Sequence, residues 1–365
     1  LIYSLHKRGA SRIVRPFLVA NYYNVKGNFA TFNWLLLVLA LLILFASSVA
    51  VGSVSIPFTE IVKTLSGLQE NATWKFIVWE LRLPKALTAV LVGVALSVAG
   101  LVMQTFFANP LASPSELGVS AGASLGVASI TLSSGISWSA FQQWGLVGNS
   151  FVAIIAILGA MLVMLLLLLM SRFVWNNTTL LIVGLMLGSL AISLIGLWQF
   201  LSSPEQIRDF LWWSFGSLAG TNYSQIAVLA FLVAMSLLLL FLQTQKLNAL
   251  LLGEMYARSM GVNIRKLRWV LIVVVSVLSG VTTAFCGPIG FVGLAVPHLA
   301  RSLFQTANHW TLFPASTLLG ASVLLFCDIL AYNLFANFAL PINLVTSLLG
   351  SPIVIWIVIR RSFRF

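Results

Sequence analysis

Gly118-Val119-Ser120-Ala121-Gly122 has the G-x-S-x-G spacing that sets a nucleophilic serine on a sharp turn in many hydrolases. That chemistry needs a strand, a tight turn and a nearby histidine and acid. Here the serine opens a Gly-rich apolar stretch. Of the three histidines, His6 lies in a basic N-terminal segment and His309 in a loop, leaving His298 as the sole intramembrane candidate base. The H-E-x-x-H zinc motif is missing, as is the G-x-x-x-x-G-K-[ST] phosphate loop. No catalytic residue, metal site or cofactor is therefore expected, and any ATP must be bound by another chain. Asp328 is the one clear acid within an apolar segment, and a lone carboxylate gives little basis for ion coupling. Cys286 and Cys327 also lie in apolar segments, where they suit packing better than a disulfide or metal site.

The elements that hold these residues are lipid-soluble. Of 365 residues 60% are hydrophobic and 8% charged, against about 25% charged in an ordinary soluble domain. Eight stretches lack Asp, Glu, Lys and Arg: 27–59, 86–115, 117–171, 173–204, 210–245, 269–300, 302–327 and 329–359. Each exceeds the roughly 20 apolar residues that cross a hydrocarbon core, and 117–171 can hold two crossings. With Gly, Pro and Asn as punctuation, spans are predicted at 33–51, 83–104, 117–134, 150–170, 179–200, 224–243, 268–285, 289–305, 312–335 and 342–359. Nine spans would follow if one Gly-rich segment, near 117–134 or 286–305, merged with its neighbour.

Lys and Arg near span ends are retained on the cytoplasmic side. Lys7, Arg8, Arg12, Arg15 and Lys26 precede the first span, Lys246, Arg258, Arg265, Lys266 and Arg268 lie between the sixth and seventh, and Arg360, Arg361 and Arg364 follow the last. Both termini inside requires an even number, which favours ten. The same bias accounts for the net charge of +12, so nucleic acid is not an expected partner. Residues 1–32 read as a loosely ordered basic cytoplasmic segment preceding a membrane domain over 33–361. The first span is too long an apolar run for a cleaved leader and reads as an anchor. The first residue is Leu1, which suggests a truncated or processed chain.

Two breaks interrupt the apolar pattern. Asn109-Pro110-Leu111-Ala112-Ser113-Pro114-Ser115-Glu116 separates the second and third spans, and Gly287-Pro288-Ile289-Gly290-Phe291-Val292-Gly293 separates the seventh and eighth. Irregular backbone at membrane depth survives only where protein or a watery cavity covers it, and paired breaks in two halves are a trace of an internally repeated transporter. Gly118, Gly122 and Gly126 share one helical face and are expected to allow close helix approach.

These stretches, in order, resemble the permeases of iron-siderophore and vitamin B12 ABC importers. The resemblance runs through Leu81-Arg82-Leu83-Pro84-Lys85, Gly100-Leu101-Val102-Met103-Gln104, Asn109 to Ala112 and Gly118 to Ala123. It continues at Gly253-Glu254, Ala257-Arg258-Ser259-Met260-Gly261-Val262, Gly287 to Gly293, Pro297-His298-Leu299-Ala300-Arg301 and Pro341 to Pro352, covering about residues 55–361. It implies an all-α polytopic fold of ten helices of the type II ABC importer kind, with a second permease subunit, two cytoplasmic ATPases and a periplasmic binding protein. It implies a bacterial inner-membrane location and a ferric siderophore as cargo, with haem and cobalamin as alternatives. Residues 246–268 would form the ATPase-coupling segment, with Gly253, Glu254, Ala257, Arg258, Ser259 and Gly261 at the contact. Arg82 and Lys85 would be rim cations that dock the binding protein, with snorkelling toward lipid headgroups as the plainer reading. Met103, Gln104, Ser120 and Ser124 are candidate pathway-lining residues. His298 and Arg301 are expected to anchor one end of their span. Trp212, Trp213 and Phe215 precede a segment resembling the family's periplasmic half-helix. Where the family often carries Arg and Glu, this chain has Tyr332 and Ala339. The competing class is an ion-coupled secondary transporter.

Overall fold

The computed structural model describes residues 14–362 apart from 53, 55, 68–70, 133–144, 172, 174–176 and 334–338. The described residues form helices and their connections, with no strand among them. A backbone embedded in lipid must satisfy its polar groups internally, which helices do. In chain order α1 is Val14–Ala50, α2 Phe58–Leu65, α3 Ala72–Phe76, α4 Leu83–Phe106, α5 Val119–Thr131, α6 Gly145–Met170, α7 Asn177–Leu201 and α8 Pro204–Ser214. There follow α9 Tyr223–Leu242, α10 Thr244–Leu250, α11 Glu254–Ser259, α12 Ile264–Cys286, α13 Val292–Phe304, α14 His309–Asn333 and α15 Ile342–Ser362.

Seven helical stretches are long and apolar enough to cross a membrane, in α1, α3–α4, α6, α7, α9, α12 and α14. Shorter apolar helices lie at Val119–Thr131, Val292–Phe304 and Ile342–Ile355. Together they occupy the ten expected segments. Two departures have local causes. Helix α1 begins at Val14 rather than near 33, with Pro16 in its first turn, where a missing N–H costs nothing; residues 1–13 lie outside the described ones. Helices α5 and α13 have 13 residues each, about 20 Å of helix. Both follow one of the two sequence breaks, so irregular backbone precedes each short helix.

The centre of the bundle is α4, almost wholly buried from Pro84 to Thr105. It packs against α14, α13 and α12, and glycines set the distance. A Cβ on Gly93 would lie 2.2 Å from the Gly320 carbonyl oxygen, and one on Gly100 would lie 1.7 Å from that of Gly293. In the same way Gly118 meets Gly184 and Gly188 on α7, and Gly122 meets Gly159 on α6. The expected glycine stripe is therefore a packing face that serves two neighbouring helices.

Candidate functional site

Polar side chains gather at both ends of the α4–α14 pair. Near the start of α4 the cause is Pro84, which has no N–H and whose ring would collide with the carbonyl one turn back in a regular helix. The chain relieves this with one wide turn over Ile77–Arg82, in which the Leu83 N–H reaches back to the Val78 carbonyl. That register leaves the Trp79 carbonyl without a backbone donor, and the Tyr223 hydroxyl on α9 donates to it. The Arg82 guanidinium donates to Val49 O at 3.1 Å and Ala50 O at 2.6 Å, and also to the Val54 carbonyl. Two of these are orphan carbonyls of the last turn of α1, where a cation also complements the helix dipole.

Three residues on, Lys85 Nζ pairs with Asp328 Oδ2 at 2.9 Å, and the Ser48 hydroxyl donates to the same oxygen at 2.9 Å. The ammonium also lies 3.9 Å from the centre of the Tyr332 ring. Arg82 and Lys85 are 4% and 5% exposed. Lys85 is paired with a carboxylate inside the chain, whereas Arg82 is held by backbone carbonyls. Two small clefts, of about 160 and 190 Å³, flank Tyr332; Lys85 and Arg82 line one and Asp328 the other. Ala339 borders the Asp328 cleft. Trp212 and Phe215, which border it as well, are exposed, whereas Trp213 turns inward and donates to Ala284 O at 3.3 Å.

The candidate lining residues sit between helices of the chain. Met103 is fully buried. Gln104 donates to Leu294 O at 3.2 Å and accepts from Arg301. Ser120 and Ser279 share a hydrogen bond at 3.2 Å, while Ser124 Oγ is buried without a partner. Ser120 thus has a second serine, not a histidine, as its neighbour. His298 anchors the first break, its Nε2 lying 2.7 Å from Pro110 O. His298 and Arg301 therefore bind α13 to the end of α4 and the loop that follows it, in keeping with an anchoring role. The described residues contain no group of three or more His, Cys, Asp or Glu that could hold a metal ion.

At the opposite end of α4, the chain turns through α10 and α11. Gly253 has φ +100° and Gly261 φ +81°, conformations that other residues resist. Ala257 is fully buried with Ala249 and Ile264, so it holds the elbow together rather than facing out. Glu254 accepts from Arg268 on α12 at 2.5 Å and lies 3.6 Å from Arg258. Ser259 Oγ donates to Tyr256 O at 2.8 Å. Met255 is 87% exposed, and Tyr256, Met260, Leu251 and Leu252 are exposed beside it. This apolar face was not legible in the sequence, because a six-residue helix is too short to show a period. A second feature missed there is His309, which is not in a loop. It is the first residue of α14, is fully buried, and contacts Asn248 and Thr105.

A bundle of apolar helices pinned by buried polar contacts, with an exposed apolar elbow, has the build of a multi-span membrane subunit. Comparison with known proteins identifies its family. Residues 39–360 match the model of the FecCD transport family. The chain is 35% identical over 327 residues to the hemin transport system permease protein HmuU of Yersinia pestis, covering 89% of this chain and 94% of that one. It is 36% identical to the vitamin B12 import system permease protein BtuC of Klebsiella pneumoniae, covering 80% and 86%. A solved metal-chelate type ABC transporter in an inward-facing conformation superimposes with a TM-score of 0.74 at 30% identity, covering 89% of this chain and 97% of that one. PsaBC from Streptococcus pneumoniae shares the fold at 18% identity and a TM-score of 0.52. The chain belongs to the FecCD transport family and is a permease subunit of an ABC importer, a transport component rather than an enzyme.

Proposed function

We propose that this subunit carries a bulky metal chelate across the bacterial inner membrane, driven by a cytoplasmic ATPase that docks on residues 246–268. The observation that carries the docking assignment is the exposed face of Met255, Tyr256 and Met260 on an elbow held rigidly by Ala257 and by the Glu254–Arg268 pair. Methionine and tyrosine provide adaptable apolar area for a partner groove. Glu254, Arg258 and Gly261 frame that face. On this reading both termini are cytoplasmic, a second permease subunit completes the pathway, and a periplasmic binding protein approaches the end where Arg82 and Lys85 line a cleft.

The cargo class rests on the relatives, whose names specify hemin and vitamin B12, and on the metal-chelate transporter of the same fold. A ferric siderophore, haem and cobalamin share size and a chelated metal, and an apolar wall with few fixed polar groups passes such a molecule without trapping it. The test of docking is co-purification. Met255→Asp with Met260→Asp should lose the ATPase from detergent-solubilised complexes while the permease remains folded; undiminished co-purification would contradict it. Uptake of haemin, cobalamin and a ferric siderophore by vesicles bearing the complete complex ranks the cargoes.

A further inference from the structure

Asn248, His309 and Thr105 come from three different helices and form a continuous chain of hydrogen bonds, buried at the His309–Thr105 link and half-buried at Asn248. Asn248 Oδ1 accepts the His309 backbone N–H at 2.8 Å, which fixes the orientation of its amide. His309 Nδ1 lies 2.8 Å from the same oxygen and must be a donor there. Its Nε2 lies 2.8 Å from Thr105 Oγ1 on α4. The Asn248 amide nitrogen in turn donates to Asn308 Oδ1 at 2.8 Å, which also accepts the Trp310 N–H at 3.0 Å. Asn248 sits on α10, which leads directly into the elbow, and the His309 ring is closed off by Phe313 at 5.6 Å between ring centres.

The rest of the molecule gives this cluster its meaning. Helices α4 and α14 are joined at their other ends by Lys85 and Asp328. Lys85 and Thr105 are about 30 Å apart at the helical rise. Between them, the Gly93–Gly320 crossing and the Ser97 hydroxyl donating to Ser316 O at 2.8 Å keep the two helices in contact. The pair is thus pinned at both ends and along its length. We propose that His309 is a positioning residue that fastens α10 to the α4–α14 pair, so that a displacement of the elbow moves both helices as one body. The proposal rests on the reading of 246–268 as the coupling segment and adds the path by which its motion reaches the far side.

The experiment uses the full permease–ATPase complex with Thr105→Val, His309→Asn and, as control, Thr105→Ser. Valine keeps the shape of threonine without the hydroxyl, and asparagine can keep the contact toward Asn248 while leaving Thr105. Spin labels at exposed Gln245 on α10 and Leu81 beside the start of α4 report whether the two move together. In the wild type and Thr105→Ser, their distance should be the same with and without trapped nucleotide; in Thr105→Val and His309→Asn it should change. In vesicles that accumulate haemin, cobalamin or a ferric siderophore, uptake per ATP hydrolysed should fall about fivefold in those two variants, the scale of one lost buried hydrogen bond. The ATPase should still co-purify. A wild-type distance that changes with nucleotide, or variants with an unchanged distance and unchanged uptake per ATP, would overturn the proposal. Loss of ATPase from the Met255/Met260 variant is read separately and concerns docking alone.

Discussion

At the scale of single residues, the sharpest test lies in the buried ion pair. Removing one member of such a pair strands the other charge in the interior, which costs about 3–5 kcal/mol, whereas replacing both by apolar groups is often nearly neutral. Lys85→Met should therefore lower the thermal midpoint of the detergent-purified subunit markedly, and Lys85→Met with Asp328→Leu should recover most of it. Equal losses in the single and double variants would contradict the pairing. Glu116 gives a pH-dependent counterpart outside the spans. Burial raises its carboxyl above the ordinary range, and the Ser115 hydroxyl offsets this only in part. A raised folded value penalises the ionised form, so stability falls as pH climbs from the ordinary glutamate range through the folded value. Glu116→Gln should raise Tm near neutrality and match the wild type below about pH 4; a gain of the same size in acid would show that charge is not the cause. Neither feature could be read from local sequence. The partner of Lys85 lies on α14, far along the chain, and the burial of Glu116 depends on how the first break folds back.

Among the elements, glycine positions separate into those that set helix spacing and those that do not. Gly100→Ala would drive a methyl group into the Gly293 carbonyl, with backbone on both sides and nothing flexible to yield. It should lower folded yield and Tm. Gly196 on α7 has nothing within 4 Å of an added Cβ, so Gly196→Ala should be tolerated and gain up to about 1 kcal/mol from helix propensity. The reverse ranking in a thermal-shift measurement would refute this packing. Tyr223→Phe probes the wide turn before Pro84. It removes the hydroxyl donor to the exposed Trp79 carbonyl and should destabilise by about 0.5–1.5 kcal/mol; an unchanged midpoint would contradict a stabilising role for this contact. The element positions themselves were largely visible beforehand, since charge-free stretches longer than a bilayer leave few alternatives. The shortness of α5 and α13 was not, because composition does not tell a straight apolar helix from a short one preceded by irregular backbone.

For the whole molecule, the sequence conveyed the class through what it lacked as much as through its motifs. No catalytic constellation, phosphate loop or ion-coupling cluster competes with the transporter reading, and the family comparison agrees. What remained hidden was how the polar groups are spent. Arg82 closes the end of α1, Gln104 and Arg301 join α4 to α13, and His309 joins α10 to α4. Each such pairing exists only once distant segments have closed on one another. The permease is consequently a set of helices fastened at their ends, and the proposed function has a partner drive it at the elbow. The direct measurement is accumulation of a labelled metal chelate by sealed vesicles holding this subunit with or without its ATPase and binding protein. Uptake should require both companions and ATP hydrolysis, and should survive collapse of ion gradients. Accumulation by the subunit alone, or uptake that follows an ion gradient and ignores ATP, would contradict the account.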